Sequence, residues 1–168
     1  MCGPALISTN CLIVDVETTG LNPLQDQIIA IGFLNTKETQ KGPVVIAVGK
    51  NEKSEELLLR HFWKYIEDKY PSLLIGFNFD FDWTFLKLRS LKYNLKIRNY
   101  DQYKRKDLRL ILNGFQYQKG TKLSDYANFL GFKIDDEIDG AQVPELYRQG
   151  QLNLIIKHLY SDVKLTYE

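Results

Sequence analysis

The stretch of sequence that decides the fold is residues 12–20, which read Leu12-Ile13-Val14-Asp15-Val16-Glu17-Thr18-Thr19-Gly20. An apolar, β-branched run that leads into turn residues predicts a strand followed by a turn. Alternate side chains of a strand share a face, so Asp15 and Glu17 point the same way. Two like charges about 4 Å apart repel by ~4 kcal/mol near a protein surface, and a divalent cation between them would turn that repulsion into binding. The pair on its own also fits an edge strand whose polar face lies in water.

The neighbouring sequence predicts an α/β fold around this strand. Apolar segments at residues 12–16, 28–34 and 44–48 are separated by turn residues, which is typical of an antiparallel meander. A helix capped by Ser54 and ending near Tyr70 leads to a fourth strand at residues 73–77. Further helices are predicted from near Trp83 and at residues 123–130, 143–148 and 152–167. This order indicates a mixed sheet, the meander followed by parallel strands, with helices on its faces.

Composition indicates one globular domain. The chain has 168 residues, of which 44% are hydrophobic and 26% charged, and its net charge is +1. These values exclude a disordered chain, and no apolar run approaches the roughly 20 residues that cross a bilayer. The two cysteines, Cys2 and Cys11, suit neither a zinc site nor a disulfide framework, which favours a reduced, cytoplasmic setting without a membrane. We expect residues 1–168 to form a single domain, and the helical pattern still running at its last residue indicates excision from a longer protein.

A second acidic segment lies at residues 76–86, where a buried strand gives way to a helix. Mixed sheets place their sites at such junctions. Asp82 is expected at or near the start of this helix, where a carboxylate is also favoured as a cap. Asp80 competes with Asp82 for a functional role. The alternative is that Asp82 is only a cap, with Phe81 and Phe85 in the core.

A third element lies in the last helix. His158 and Asp162 are four residues apart, so they lie on the same helix face. A histidine and an aspartate in this arrangement can supply a general base beside a metal ligand. The same pair also fits an ordinary surface ion pair.

Positive charge is concentrated in residues 87–109. Nine Lys and Arg face two Asp in this segment, a net charge of +7, which leaves −6 for the rest of the chain. Tyr93, Tyr100 and Tyr103 are interleaved, and aromatic rings can stack on bases. The segment therefore predicts a nucleic-acid track beside an acidic pocket, although a solvated helix and loop would have a similar composition.

Together the three acidic elements resemble the DEDD, or DnaQ-like, superfamily of 3'-5' exonucleases. Its motifs occur here in the family's order between residues 12 and 166: Asp-x-Glu-Thr-Thr-Gly, then Asn with Phe-Asp-x-x-Phe-Leu, then an Asp with a base four residues before it. Residues 123–126 and 140–147 look most like predicted exonucleases related to the proofreading domain of family B DNA polymerases. The resemblance implies a ribonuclease H-like fold.

The resemblance also implies a two-metal phosphodiesterase. It implies two Mg²⁺ or Mn²⁺ ions about 3.5–4 Å apart, and the carboxylates that would hold them are Asp15, Glu17, Asp82 and Asp162. His158 would accept the proton of the attacking water, a task that suits an imidazole. The substrate-binding residues that the resemblance implies are Thr18, Leu21, Asn78 and Phe85.

The base departs from the family's pattern. One branch carries tyrosine four residues before the last Asp and the other carries histidine five before it, whereas His158 stands at the tyrosine spacing. The expected activity is a metal-dependent 3'-5' exonuclease on single-stranded or frayed DNA that releases nucleoside 5'-monophosphates, with a polymerase or helicase as partner or parent chain. The alternatives are an RNA-directed exonuclease, a catalytically silent nucleic-acid-binding module of a larger helicase or polymerase, and an endonuclease of the wider ribonuclease H-like group.

Overall fold

A five-stranded mixed sheet forms the centre of the protein. The structure is a computed structural model that describes residues 9–97, 103–114, 121–136 and 138–168. Its strands follow the order β3-β2-β1-β4-β5 across the sheet. Their bounds are β1 Cys11–Thr18, β2 Ile28–Asn35, β3 Val44–Ala47, β4 Leu73–Gly76 and β5 Lys104–Asp107. β2 pairs antiparallel with both β1 and β3, whereas β4 pairs parallel with both β1 and β5. This pairing confirms the predicted mixed sheet.

Six α-helices and two short 3₁₀ segments are described. The helices are α1 Glu55–Lys69, α2 Phe79–Lys92, α3 Leu108–Leu112, α4 Leu123–Leu130, α5 Val143–Arg148 and α6 Leu152–Tyr167, and the 3₁₀ segments are Thr39–Lys41 and Gly140–Gln142. The Ser54 hydroxyl accepts from the Leu57 N–H at the start of α1, as the cap pattern predicts. Within the described ranges, no helix has both the length and the apolar composition that a bilayer span requires.

Alternation along β1 builds a core on each face of the sheet. Leu12, Val14 and Val16 pack with residues of α1 and α2, whereas Cys11 and Ile13 pack with residues of α6. Asp15 and Glu17 follow Cys11 and Ile13 at two-residue intervals, so they lie on the same face of β1. The two carboxylates therefore belong to the face that α6 covers.

Glycine 32 on β2 lets α6 approach the sheet closely. A Cβ atom at this position would lie 2.8 Å from both Leu159 Cγ and Val163 Cγ2, closer than real Cβ contacts. Leu159 and Val163 directly follow His158 and Asp162 in the chain. Gly32 thus determines how closely α6 packs on the sheet, and with it the position of His158 and Asp162.

Helix α2 begins at Phe79, a full turn before the Trp83 start that the sequence predicts. The turn is made by Asn78, which adopts a left-handed conformation with φ of 60°. Gly76 lets the chain reverse, because a Cβ there would lie 2.5 Å from Phe79 Cδ2. Asp82 therefore lies in the first turn of the helix, near its start as the sequence predicts, and the alternative that it is only the cap is wrong.

Strand β5 and the short helix α3 had not been predicted. β5 consists of Lys104, Arg105, Lys106 and Asp107, of which the first three are exposed. An edge strand of charged residues has no apolar alternation for a hydropathy pattern to detect. Arg98, Tyr100 and Asp101 of the basic segment, and also Cys2, lie outside the described residues.

Candidate active site

A cleft of about 650 Å³ opens where the parallel strands end. Carboxyl ends of parallel strands meet at one edge of a sheet, so the residues that follow β1, β4 and β5 converge there. The functional candidates that line the cleft are Asp15, Glu17, Asp82, Asp136, His158 and Asp162. The structure thus brings together all five residues predicted to be catalytic, and it adds Asp136.

Asp82 joins α2 to β1 at the floor of the cleft. Its Oδ1 accepts a hydrogen bond of 2.9 Å from the backbone N–H of Val16, between the two acidic residues of β1. Asp82 as a whole is 3% exposed. Burial raises the pKa of Asp82 to about 8, although the N–H of Val16 and a hydrogen bond with Asp15 act in the opposite direction.

The two acidic residues of β1 share this environment. Burial, and then the charges of Asp82 and Asp162, raise the pKa of Asp15 well above its ordinary value. Burial, followed by the charge of Asp15, does the same for the pKa of Glu17. Because these buried carboxylates repel one another when ionised, the cluster favours either bound protons or a bound cation.

Helix α6 supplies the remaining two predicted residues. His158 Nε2 lies 3.6 Å from Glu17 Oε1 and 3.8 Å from Asp162 Oδ2. Burial raises the pKa of Asp162 to about 6, against the lowering effect of the His158 charge. The His158 side chain is 7% exposed, so the surface ion pair that the sequence allowed does not describe it.

Asp136 is a site residue that the sequence reading missed. It lies in the loop between α4 and the 3₁₀ segment 140–142, and its Oδ2 contacts His158 Nδ1. Loop residues carry no periodicity, and Asp135 and Asp136 are adjacent acids with nothing to separate their roles. Only the folded position of the loop against α6 distinguishes Asp136.

Asn78 also lines the cleft and is held from two sides. Its backbone N–H donates to Asp107 Oδ1 at 3.0 Å, and its side-chain oxygen accepts from Arg109 Nη1 at 3.2 Å. Arg109 lines the cleft as well. The sequence placed Arg109 only in the general basic segment, because its link to Asn78 depends on the unpredicted β5–α3 corner.

The other predicted substrate-binding residues occupy different environments. Thr18 is buried and its hydroxyl donates to the Gly20 carbonyl at 2.6 Å, whereas Leu21 in the following turn is 84% exposed. Phe85 is fully buried in the core, with its ring centroid 4.9 Å from that of Phe81. Phe81 and not Phe85 lines the cleft, so the structure contradicts the placement of Phe85 at the substrate and supports its core alternative.

Comparison with known proteins assigns the family. The family model of the RNase H superfamily matches residues 12–165. The chain belongs to the RNase H superfamily. This match confirms the ribonuclease H-like fold and the resemblance that predicted it.

Two proteins of similar sequence and one solved structure of similar fold illustrate what this RNase H superfamily chain resembles. Uncharacterized protein MJ0365 of Methanocaldococcus jannaschii is 42% identical over 167 residues, covering 93% of this chain and 90% of that protein. A PolC-type DNA polymerase III of Caldanaerobacter subterraneus subsp. tengcongensis is 28% identical over 141 residues, covering 73% of this chain and 10% of the polymerase. The family B DNA polymerase of Pyrobaculum calidifontis superposes with a TM-score of 0.76 at 18% identity, covering 95% of this chain and 24% of the polymerase.

RNase H superfamily nucleases generally use divalent metal ions, and the donor set here fits such ions. Carboxylate oxygens are the ligands that Mg²⁺ and Mn²⁺ prefer. Buried acids with raised pKa values gain most from a cation that replaces their protons. One ligand atom each from Asp136, His158 and Asp162 also lie within 4.8 Å of one another.

The predicted nucleic-acid track is only partly present in this RNase H superfamily structure. Arg89 is buried and donates to both carboxylate oxygens of Glu55, at 2.8 and 2.7 Å. The Tyr93 hydroxyl donates to the same Glu55, and the Tyr103 ring packs against Trp83 at 6.2 Å. Arg89 and Tyr93 hold the core together, so they do not belong to a surface that binds phosphates and bases.

Proposed function

We propose that residues 1–168 form a single exonuclease domain that removes nucleotides from the 3' end of single-stranded or frayed DNA, with Mg²⁺ or Mn²⁺ as cofactor. The observation that carries this proposal is the convergence of four carboxylates and a histidine, from β1, α2 and α6, in one cleft. The two polymerases that this chain resembles support DNA as the polymer and a polymerase as partner or parent chain.

The carboxylates of Asp15, Glu17, Asp82 and Asp162 would hold the metal ions. Bound there, two such ions would lower the pKa of the attacking water and neutralise charge on the leaving oxygen. Before binding, the raised pKa values keep protons on part of this cluster. Metal binding therefore releases protons, and its affinity rises with pH.

His158 would act as the general base through Nε2, the ring nitrogen that faces Glu17 and Asp162. The water oxygen forms a bond to phosphorus while its proton passes to Nε2. The bond from phosphorus to the 3' oxygen breaks, and that oxygen takes a proton from solvent. The products are a nucleoside 5'-monophosphate and a nucleic-acid strand shortened by one nucleotide.

Asn78 and Arg109, which also line the cleft, would bind the substrate strand. The Arg109 guanidinium fixes the amide of Asn78, and its charge suits a backbone phosphate. Leu21, exposed beyond the end of β1, would pack on the terminal nucleotide, with Thr18 bracing the turn beneath it.

The test is incubation with a 5'-labelled single-stranded oligonucleotide and Mn²⁺. We expect a ladder of shortened products together with nucleoside 5'-monophosphates, while a circular single strand of the same composition stays uncut. An RNA oligonucleotide of the same sequence measures the preference between polymers. An intact linear substrate, or a cleaved circle, would contradict the proposal.

Two matched variants tie the activity to the cleft. Asp162→Asn removes one cleft carboxylate, whereas Asp68→Asn removes an exposed carboxylate on α1 that pairs only with Lys64 among the described contacts. We expect Asp162→Asn to lose the ladder and Asp68→Asn to keep it. Equal loss in both would indicate that the activity does not come from this site.

A further inference from the structure

His158 is surrounded by carboxylates from three different segments. Nε2 faces Glu17 of β1 and Asp162 of α6, whereas Nδ1 faces Asp136 of the loop before the 3₁₀ segment 140–142. We propose that Asp136 is a positioning residue that fixes the ring and the tautomer of His158. This inference rests on the proposed function, and Asp136 is not among the site residues predicted from the sequence.

The direction of the hydrogen bond follows from the partners. An ionised carboxylate only accepts hydrogen bonds, so Nδ1 must donate to Asp136 Oδ2. In a neutral imidazole the proton on Nδ1 leaves a lone pair on Nε2. Asp136 therefore sets Nε2 as the nitrogen that can accept a proton from water.

Without Asp136 the same surroundings would select the wrong tautomer. The two carboxylates that face Nε2, at 3.6 and 3.8 Å, attract a proton onto that nitrogen. A ring with its only proton on Nε2 has no lone pair on the cleft side and cannot act as a base there. A carboxylate on the other ring nitrogen counters this attraction.

Burial makes this pairing a fixed part of the site. The side chains of His158 and Asp136 are 7% and 5% exposed, so water competes little for either group. Asp136 contacts the ring at Nδ1, whereas the metal-holding candidates Glu17 and Asp162 lie at Nε2. One oxygen of Asp136 also lies within 4.8 Å of ligand atoms on His158 and Asp162, so a metal titration distinguishes orientation of the histidine from metal ligation.

Nitrogen NMR of the imidazole tests the tautomer without using activity. The chain has two histidines, so His61→Gln leaves His158 as the only imidazole signal. In EDTA, where no cation occupies Glu17 and Asp162, and at a pH high enough to neutralise the ring, we expect the proton on Nδ1 and none on Nε2. Asp136→Ala should move the proton to Nε2, and Asp136→Glu should return a substantial part of it to Nδ1. An Nε2–H tautomer in the parent, or a tautomer unchanged in Asp136→Ala, would overturn the proposal.

Kinetics test whether Asp136 acts through His158. Partners that orient a functional group typically contribute 10–100-fold, so we expect kcat of Asp136→Ala to fall by about that factor with little change in KM. His158→Ala should fall by roughly 10²–10⁴-fold, and adding Asp136→Ala to it should cost nothing more. A full additional loss in the double variant would overturn the positioning role.

Metal titration separates this role from ligation. We expect Asp136→Ala to bind Mn²⁺ within about threefold of the parent, whereas a metal ligand would lose far more affinity. A large loss would assign Asp136 to the metal site and overturn the proposal. If the parent protein shows no exonuclease activity, the proposed function fails while the NMR result still decides the role of Asp136.

Discussion

Asp82 combines a structural and a chemical task in one side chain. Its Oδ1 accepts a hydrogen bond from the backbone N–H of Val16. Alongside burial, the negative charge of the same carboxylate raises the pKa of Asp15 in the cleft. An asparagine at this position keeps an acceptor for the N–H but loses the negative charge. The two tasks can therefore be separated by one substitution.

We expect Asp82→Asn to lose activity without losing the fold. Turnover should fall by more than about 10²-fold, since even residues behind metal ligands are worth 10–100-fold. The free energy of unfolding of the metal-free protein should stay level or rise at alkaline pH, because no buried charge has to form. Oligonucleotide assays and chemical denaturation measure the two effects, with Asp68→Asn as the control. Normal turnover would remove Asp82 from the site.

The acidic cluster also predicts how stability depends on pH. The pKa of Asp82 is about 8 and that of Asp162 about 6 in the folded protein, both above the ordinary value of 3.8. The folded state then binds more protons than the unfolded state, so the free energy of unfolding falls as pH rises from about 4 to about 8. In EDTA we expect a lower Tm near pH 8 than near pH 5, with Mg²⁺ restoring it near pH 8.

The control for this pH dependence is the Asp82→Asn protein. Its Tm should vary less between the same two pH values, because one of the buried carboxyl groups whose pKa is raised is absent. An identical pH dependence in both proteins would show that Asp82 does not carry the effect.

Helix α6 acts through its depth on the sheet. Gly32→Ala would place a Cβ 2.8 Å from Leu159 and Val163, and such overpacking costs about 1–3 kcal/mol. The helix must shift to relieve it, and it carries His158 and Asp162 along. We expect the variant to lose both stability and kcat, measured by denaturation and single-turnover assays.

Gly114→Ala is the matched control for that substitution. Gly114 has φ of +61° and no atom within 4 Å of a Cβ, so replacing it strains the backbone without moving a neighbour. It should cost stability while kcat stays unchanged. A fall in kcat of similar size in both variants would mean that destabilisation alone explains the effect of Gly32→Ala.

Elements with a strong internal signal could be predicted from the sequence. Alternation revealed β1 and its paired acids, and Ser54 marked the start of α1. The start of α2 could not be predicted, because it depends on the left-handed Asn78 and on the space left by Gly76. β5 consists of charged residues, and Asp136 acquires its role only from tertiary contact with α6. In each case the deciding feature is a contact between different segments of the chain, which the local sequence of one element does not reveal.

At the scale of the whole molecule, the near-zero net charge conceals separate regions of opposite sign. Acidic side chains line the cleft, whereas Lys104, Arg105 and Lys106 lie exposed along β5. That strand leads through Asp107 to Asn78 and Arg109 at the cleft. A nucleic-acid strand that reaches the cleft along β5 would pass these charges.

Salt dependence tests this path. Affinity for a single strand falls with salt by about 0.7 logarithmic units per phosphate contact for each tenfold increase in salt. We expect the double variant Lys104→Gln with Lys106→Gln to bind an oligonucleotide more weakly and to lower this slope by about 0.7–1.4. Lys64→Gln, on α1 and paired with Asp68, should leave the slope unchanged. An unchanged slope in the double variant would exclude β5 from the path.

The charged composition of β5 has a second consequence, for solubility. Among the strands of the described ranges, β5 is the last on its side of the sheet, so its outer backbone groups could template pairing with another chain. Three adjacent cations make the approach of an identical edge repulsive, which discourages sheet-to-sheet association of copies. Removing these charges would therefore increase the tendency of concentrated protein to aggregate, independently of any effect on catalysis.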